Sequence, residues 1–189
     1  MVIPFPATRK RVDTRVAPGR RDDIGLLNAA VCRVIHLGAR TKNPPRLFYT
    51  LARHRGLFRR WLMFAGSLMP GGKLPRYDSE LVILRVSVNT GSDYEWGYHA
   101  LIGRRAGLSD EQIARVGDGP DADGWSDHER ALLRAVDELA ADDVVSDATW
   151  RVLASRYDDR RLIELCLLAG HYTMLAGTLN SLGIRPDER

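Results

Sequence analysis

Cysteine is scarce in this chain: Cys32 and Cys166 are the only two among 189 residues. Neither belongs to a C-x-x-C pair, which argues against a disulfide-stapled secreted framework and against a thiolate zinc site. Both lie in apolar surroundings, AAVCRVIHL and ELCLLAG, the setting of a small buried hydrophobe rather than of a nucleophile. Long apolar runs are lacking too. The apolar stretch at 162–168 falls far short of the ~20 residues that span a bilayer. No apolar segment separates the N-terminal basic residues from a cleavage site, so no secretory signal is read and a cytoplasmic protein is expected. No strand-like alternation bounded by turns appears, and no low-complexity linker divides the chain.

The net charge of +4 suggests a nucleic-acid partner until it is located. Residues 1–21 hold Arg9, Lys10, Arg11, Arg15, Arg20 and Arg21 against Asp13 alone, so residues 22–189 sum to −1. The basicity belongs to an arm containing Pro4, Pro6, Pro18 and Gly19, read as flexible or as packing on a neighbouring subunit. No aromatic-interleaved basic patch accompanies it, and nucleic acid is not an expected partner. Residues 22–189 are read as a single helical domain, since 44% hydrophobic content suffices for a sizeable core. Arg53, His54, Arg55, Arg59 and Arg60 read as a solvated face or a subunit contact.

What is present in abundance is helix punctuation. Ser92-Asp93-Tyr94-Glu95, Ser109-Asp110-Glu111-Gln112 and Ser126-Asp127-His128-Glu129 each offer a capping hydroxyl with Glu or Gln three residues on, the capping-box pattern. Ser146-Asp147 opens a fourth helix less completely. Leu132, Leu133, Val136 and Leu139 form a helical stripe, and residues 162–182 continue the period through a largely apolar helix. Residues 24–37 and 45–68 also read as helices, the latter interrupted near Gly56. Roughly eight helices with short connections predict an all-α bundle.

The chemistry concentrates between Leu74 and Leu108. An apolar run from Leu81 to Val88 starts after Asp78 and stops at Thr90-Gly91, where glycine suits the left-handed position after a helix end. Ser92 then opens a second helix on which Glu95 and His99, four residues apart, share a face. A carboxylate beside an imidazole can transfer protons. Each residue also has a plainer account. Glu95 can close the capping box at Ser92, Glu80 can complement the helix N-terminus, and His99 can be a hydrogen-bonded core histidine.

This stretch resembles the carboxymuconolactone decarboxylase and alkylhydroperoxidase D-like family. The resemblance is carried by Glu80, by the E-W-x-x-H run of Glu95, Trp96 and His99, and by Ala106-Gly107-Leu108-Ser109, and it aligns without gaps from about Pro75 to Val116. It implies a compact all-α bundle of the alkylhydroperoxidase D-like type, a homo-oligomer, and an enzyme that needs no metal or organic cofactor. It also implies a catalytic set of Glu80, Glu95 and His99. The family's peroxidase branch carries a C-x-x-C pair seven and four residues before its histidine, where this chain has Ser92 and Glu95. Disulfide exchange needs an attacking and a resolving thiol, so that activity at the usual position is not available here.

In the decarboxylase branch, loss of carbon dioxide leaves electrons in an unsaturated carbonyl system, and an acid must protonate the remote carbon. His99 is the candidate acid, with Glu95 or Glu80 orienting its ring, acting on a small unsaturated lactone or carboxylic acid. Arg85 interrupts an apolar run with a charge that must find a carboxylate or line a polar cavity; a structural ion pair, with Asp78 or a neighbouring helix, competes with a clamp on substrate. Trp96, Tyr98 and His171 are further candidates for substrate contact, although core packing is the plainer account of His171 and of Tyr172. Two other readings stay open: a peroxiredoxin-like antioxidant protein using Cys32 or Cys166 unconventionally, and a non-catalytic oligomer that binds a small acid.

Overall fold

The computed structural model describes residues 4–6, 12–39 and 45–187. Nine helices and no strand occur among them: α1 (Arg21–Ala39), α2 (Arg46–Leu51), α3 (Arg55–Leu68), α4 (Arg76–Thr90), α5 (Asp93–Arg105), α6 (Asp110–Val116), α7 (Asp127–Asp142), α8 (Asp147–Ala154) and α9 (Asp159–Leu182). The fold is all-α, as the punctuation predicts. The chain divides into two compact units, one built mainly from residues 72–177 and the other from residues 11–71 with 178–189.

In the larger unit α4 is the axis. Asp78, Ser79, Glu80, Leu81, Val82, Ile83, Leu84, Val86 and Ser87 are all buried, so almost every face of this helix meets protein. It packs against α5, α6 and α7. Gly91 ends it in the left-handed conformation (φ 64°), and the Ser92 N–H returns to the Ser87 carbonyl at 2.9 Å, which turns the chain directly into α5. α9 buries Leu162, Leu165, Leu168, Ala169, Tyr172, Leu175, Ala176 and Leu179 along one stripe. By length and composition α9 as a whole matches a membrane span, a property the short uninterrupted runs conceal. Half of its apolar window is buried by the fold, as in a core helix.

In the smaller unit Ile24, Cys32, Ala52 and Phe58 form a core flanked by Phe48 and Trp61. The helix expected at 24–37 starts at Arg21 but passes Gly25 with φ 78°, so regular helix begins after that glycine. The break expected near Gly56 falls at 52–54 instead. His54 caps α3 through its ring, which accepts from the Leu57 N–H at 3.4 Å, and Gly56 lies inside the first turn. The N-terminal arm's Arg9, Lys10 and Arg11 lie outside the described residues. Farther along, Arg15 and Val16 donate backbone N–H groups to the Leu182 carbonyl, and Gly19 donates to that of Tyr49. Arg53 pairs with Asp23, while Arg55 donates to the Asp22 and Asp23 carbonyls, so part of the basic cluster is engaged locally.

Candidate functional site

Glu80, Glu95 and His99 meet inside the larger unit, where α4 and α5 lie side by side. Gly103, one turn beyond His99, faces Glu80: a Cβ there would meet the Glu80 Cβ at an ordinary contact distance of 3.7 Å and crowd Leu108 Cδ1 at 2.9 Å. His99 Nδ1 lies 2.7 Å from Glu80 Oε2, and Nε2 lies 3.4 Å from Glu95 Oε2. Relative exposure is 0% for Glu80, 4% for Glu95 and 6% for His99, so the charges interact away from water.

Carboxylates at both ring nitrogens decide the protonation state. Burial by itself pushes the His99 pKa down, but the charge and hydrogen bond of Glu80, joined by those of Glu95, overcome it and raise the pKa from 6.5 to about 10. His99 is therefore an imidazolium at neutral pH, with both N–H groups directed at carboxylates. The remaining oxygens, Glu80 Oε1 and Glu95 Oε1, are buried and accept no hydrogen bond among the described residues. Arg76, one turn before Glu80, brings Nη1 within 4.0 Å of Glu80 Oε1, an ionic contact too long to be a hydrogen bond. This arginine was overlooked in the sequence, although its i, i+4 spacing to Glu80 was available.

The plainer account of Glu95, closing a capping box at Ser92, is only half realised. Ser109 with Gln112 and Ser126 with Glu129 form complete reciprocal boxes. At α5 only half of the box exists: Ser92 accepts from the Glu95 N–H at 3.4 Å, while the Ser92 N–H bonds to Ser87. The Glu95 carboxylate is thereby left to face His99.

Tyr172 stands edge-on to the His99 ring at 5.1 Å, and His171 stands edge-on to Tyr172 at 5.2 Å. Burial, reinforced by the Glu95 and Glu80 charges, pushes the Tyr172 hydroxyl well above its ordinary pKa and keeps it neutral. Burial also pushes His171 down, with Glu95 pulling weakly the other way. Trp96 is buried and packs edge-to-face on Phe5 at 5.8 Å, while Tyr98 is half-buried against Tyr94 at 5.0 Å.

Arg85 does not join this group. Its guanidinium forms a two-pronged pair with Asp137, Nε to Oδ1 at 2.7 Å and Nη2 to Oδ2 at 2.8 Å, and donates to the Val116 carbonyl at 2.9 Å. Asn89 adds a further bond to Asp137. The expected charge partner thus lies on α7, rather than being Asp78, and Arg85 ties α4 to α7 and to the end of α6. Burial disfavours the thiolate form of both cysteines. Burial pushes Cys32 up to about 11, against a weaker lowering by its backbone hydrogen bond, and burial likewise raises Cys166.

Residues 55–138 match the carboxymuconolactone decarboxylase family, a span that contains the whole stretch aligned by resemblance. No curated protein sequence matches the chain. Among solved structures, an uncharacterized peroxidase-related protein from Silicibacter sp. TM1040 superposes with a TM-score of 0.77 at 13% identity, covering 96% of each chain. The alkylhydroperoxidase AhpD core protein of Ralstonia eutropha JMP134, also described as peroxidase-related, gives 0.72 at 21% identity over 92% of this chain and 93% of its own. The debrominase Bmp8 gives 0.75 at 16% identity over 93% of each. These likenesses fix the fold as that of alkylhydroperoxidase D-like proteins.

Proposed function

We propose, starting from residues 55–138 as a carboxymuconolactone decarboxylase family segment, that this protein is a cofactor-independent enzyme acting by proton transfer on a small unsaturated lactone or carboxylic acid. The observation that carries the reading is the buried imidazole of His99 held between Glu80 and Glu95. A histidine between two carboxylates stores a proton in a site that burial alone would keep neutral.

The roles follow from the two distances. Glu80, at 2.7 Å, is the positioning residue that fixes the ring through Nδ1. The looser Nε2 edge, 3.4 Å from Glu95, delivers the proton. In decarboxylation the bond between the substrate carboxylate and its ring carbon breaks, carbon dioxide leaves, and the electron pair spreads into the unsaturated carbonyl system. The Nε2–H bond of His99 then breaks as a C–H bond forms at the remote carbon, and neutral His99 recovers its proton from solvent. Glu95 tracks the charge on the ring, and Tyr172 walls the site as a neutral phenol. Positioned proton transfer of this kind is worth about 10²- to 10⁴-fold. Trp96, Tyr98 and His171 are proposed to shape the substrate end.

A homo-oligomer in the cytoplasm completes the proposal. Leu26, Val34, Leu37 and Met63, on α1 and α3, are 66%, 70%, 68% and 78% exposed, an apolar excess that a second copy would bury. A monomeric mass in light scattering at micromolar concentration would remove that element. The enzymatic reading is tested by screening unsaturated lactone acids for carbon dioxide release and repeating any positive assay with His99→Gln. Loss of turnover in a folded variant supports the reading, and wild-type turnover overturns it.

A further inference from the structure

A second histidine lies on the other side of α4. We propose that the cleft at the N-terminal ends of α4 and α7 and the start of α9 is a separate ligand site for a small aromatic or unsaturated carboxylate. Its open volume is about 410 Å³, within the usual range for small-molecule sites, and Glu80, Glu95 and His99 are not among its lining residues.

The floor is a buried polar cluster. Asp78, His128 and Tyr157 are 8%, 7% and 7% exposed. The Tyr157 hydroxyl donates to Asp78 Oδ2, while His128 Nε2 lies 3.3 Å from that oxygen and 3.2 Å from the phenol oxygen. The rings of His128 and Tyr157 meet edge-on at 4.9 Å. His128 Nδ1 is buried and has no hydrogen-bond partner among the described residues. These groups come from positions 50 and 79 residues apart, and His128 Nδ1 is the buried atom of the cluster that they leave unsatisfied.

The matching of donors and acceptors points to the ligand's charge. Glu129 already accepts at both oxygens, from the Tyr77 hydroxyl at Oε1 and from the Ser126 N–H and hydroxyl at Oε2. Asp78 meets Tyr157 and His128 through Oδ2 alone. Free donors line the cleft: the Arg156 guanidinium has no hydrogen-bond partner among the described residues, and the Arg161 guanidinium donates only through Nε, to the Lys73 carbonyl at 3.3 Å. Both positive charges act on Tyr157, pulling its pKa down against burial and Asp78, so both reach the floor electrostatically. α4 starts at Pro75 without a side-chain cap, which adds the positive end of its dipole. Around these donors the rings of Pro75, Tyr77, His128 and Tyr157 supply flat apolar surface. Two guanidinium groups beside rings suit a planar carboxylate.

Benzoate titrated into the full-length protein tests this, read by calorimetry and by the histidine ring signals in carbon–proton NMR spectra. The expected result is saturable binding that moves the His128 signal. Arg156→Gln and Arg161→Gln, checked by their melting transitions, should each weaken it about tenfold or more, and His99→Gln should leave it unchanged. Benzyl alcohol, with the ring but no charge, should bind at least about tenfold more weakly. Three results would overturn the proposal: no saturable binding, binding lost in His99→Gln but kept in Arg156→Gln, or inorganic phosphate binding as tightly as benzoate.

Discussion

Two histidines flank α4, and they differ in how many carboxylates they face. His99 has one on each ring nitrogen, Glu80 and Glu95, with Tyr172 edge-on at 5.1 Å. His128 has Asp78 alone, shared with the Tyr157 hydroxyl, and Tyr157 stands edge-on at 4.9 Å. The parts are alike and the outcomes are not. A second carboxylate turns the first histidine into a stored proton, whereas a phenol in that place leaves the second as part of a hydrogen-bonded floor beneath two arginines. Asp78 and Glu80, two residues apart on one buried helix, face different partners, so a single turn of α4 serves both clusters.

The comparison breaks most sharply at His99. His99→Gln, which retains one hydrogen bond, is expected to lower turnover about 10²- to 10⁴-fold while Tyr157→Phe leaves it within about twofold; a steady-state assay of the two folded variants distinguishes the clusters. The next largest effect is on stability. Because the folded-state pKa of His99 is raised, its contribution is fully present below pH 6.5 and disappears as pH rises toward 10. Alkaline melting experiments should show a loss of roughly 3–5 kcal/mol across that window that is absent from His99→Gln. Arg85→Ala should cost about 2–3 kcal/mol in urea unfolding, by stranding Asp137 and the Val116 carbonyl, with no selective loss of chemistry. Smallest is the paired Cys32→Ala and Cys166→Ala variant, expected to lose about 1–2 kcal/mol from the Cys32 cavity and to keep its turnover; inactivity in a folded form would restore thiol chemistry as the competing account.

Much of the first cluster was legible in the sequence, because its parts obey local rules. Glu95 and His99 are four apart on one helix, and Gly91 announces the turn that brings Glu80 opposite them. The repeated S-x-x-E/Q pattern left two accounts of Glu95 open, since it does not say where the carboxylate points; the Ser92 N–H bonds to Ser87 and the Glu95 carboxylate faces His99. The partner of Arg85 was not legible either. Asp137 is 52 residues away, and nothing local selects it over Asp78. The second cluster was hidden for the same reason: Asp78 starts a helix, His128 lies inside the Ser126–Glu129 capping box, and no local pattern singles out Tyr157. Only tertiary packing joins them. The break inside 45–68 was legible but misplaced, because a histidine cap at 52–54 makes it and not Gly56.

The central claim is that two buried carboxylates hold a proton on His99. An NMR pH titration of the His99 ring, assigned by comparison with His99→Gln, tests it directly. The account predicts an imidazolium signal unchanged through pH 8 and a transition near pH 10, shifted downward in Glu80→Gln. A transition at or below pH 6.5 in the wild-type protein would mean that burial prevails over Glu80 and Glu95, and would contradict the account.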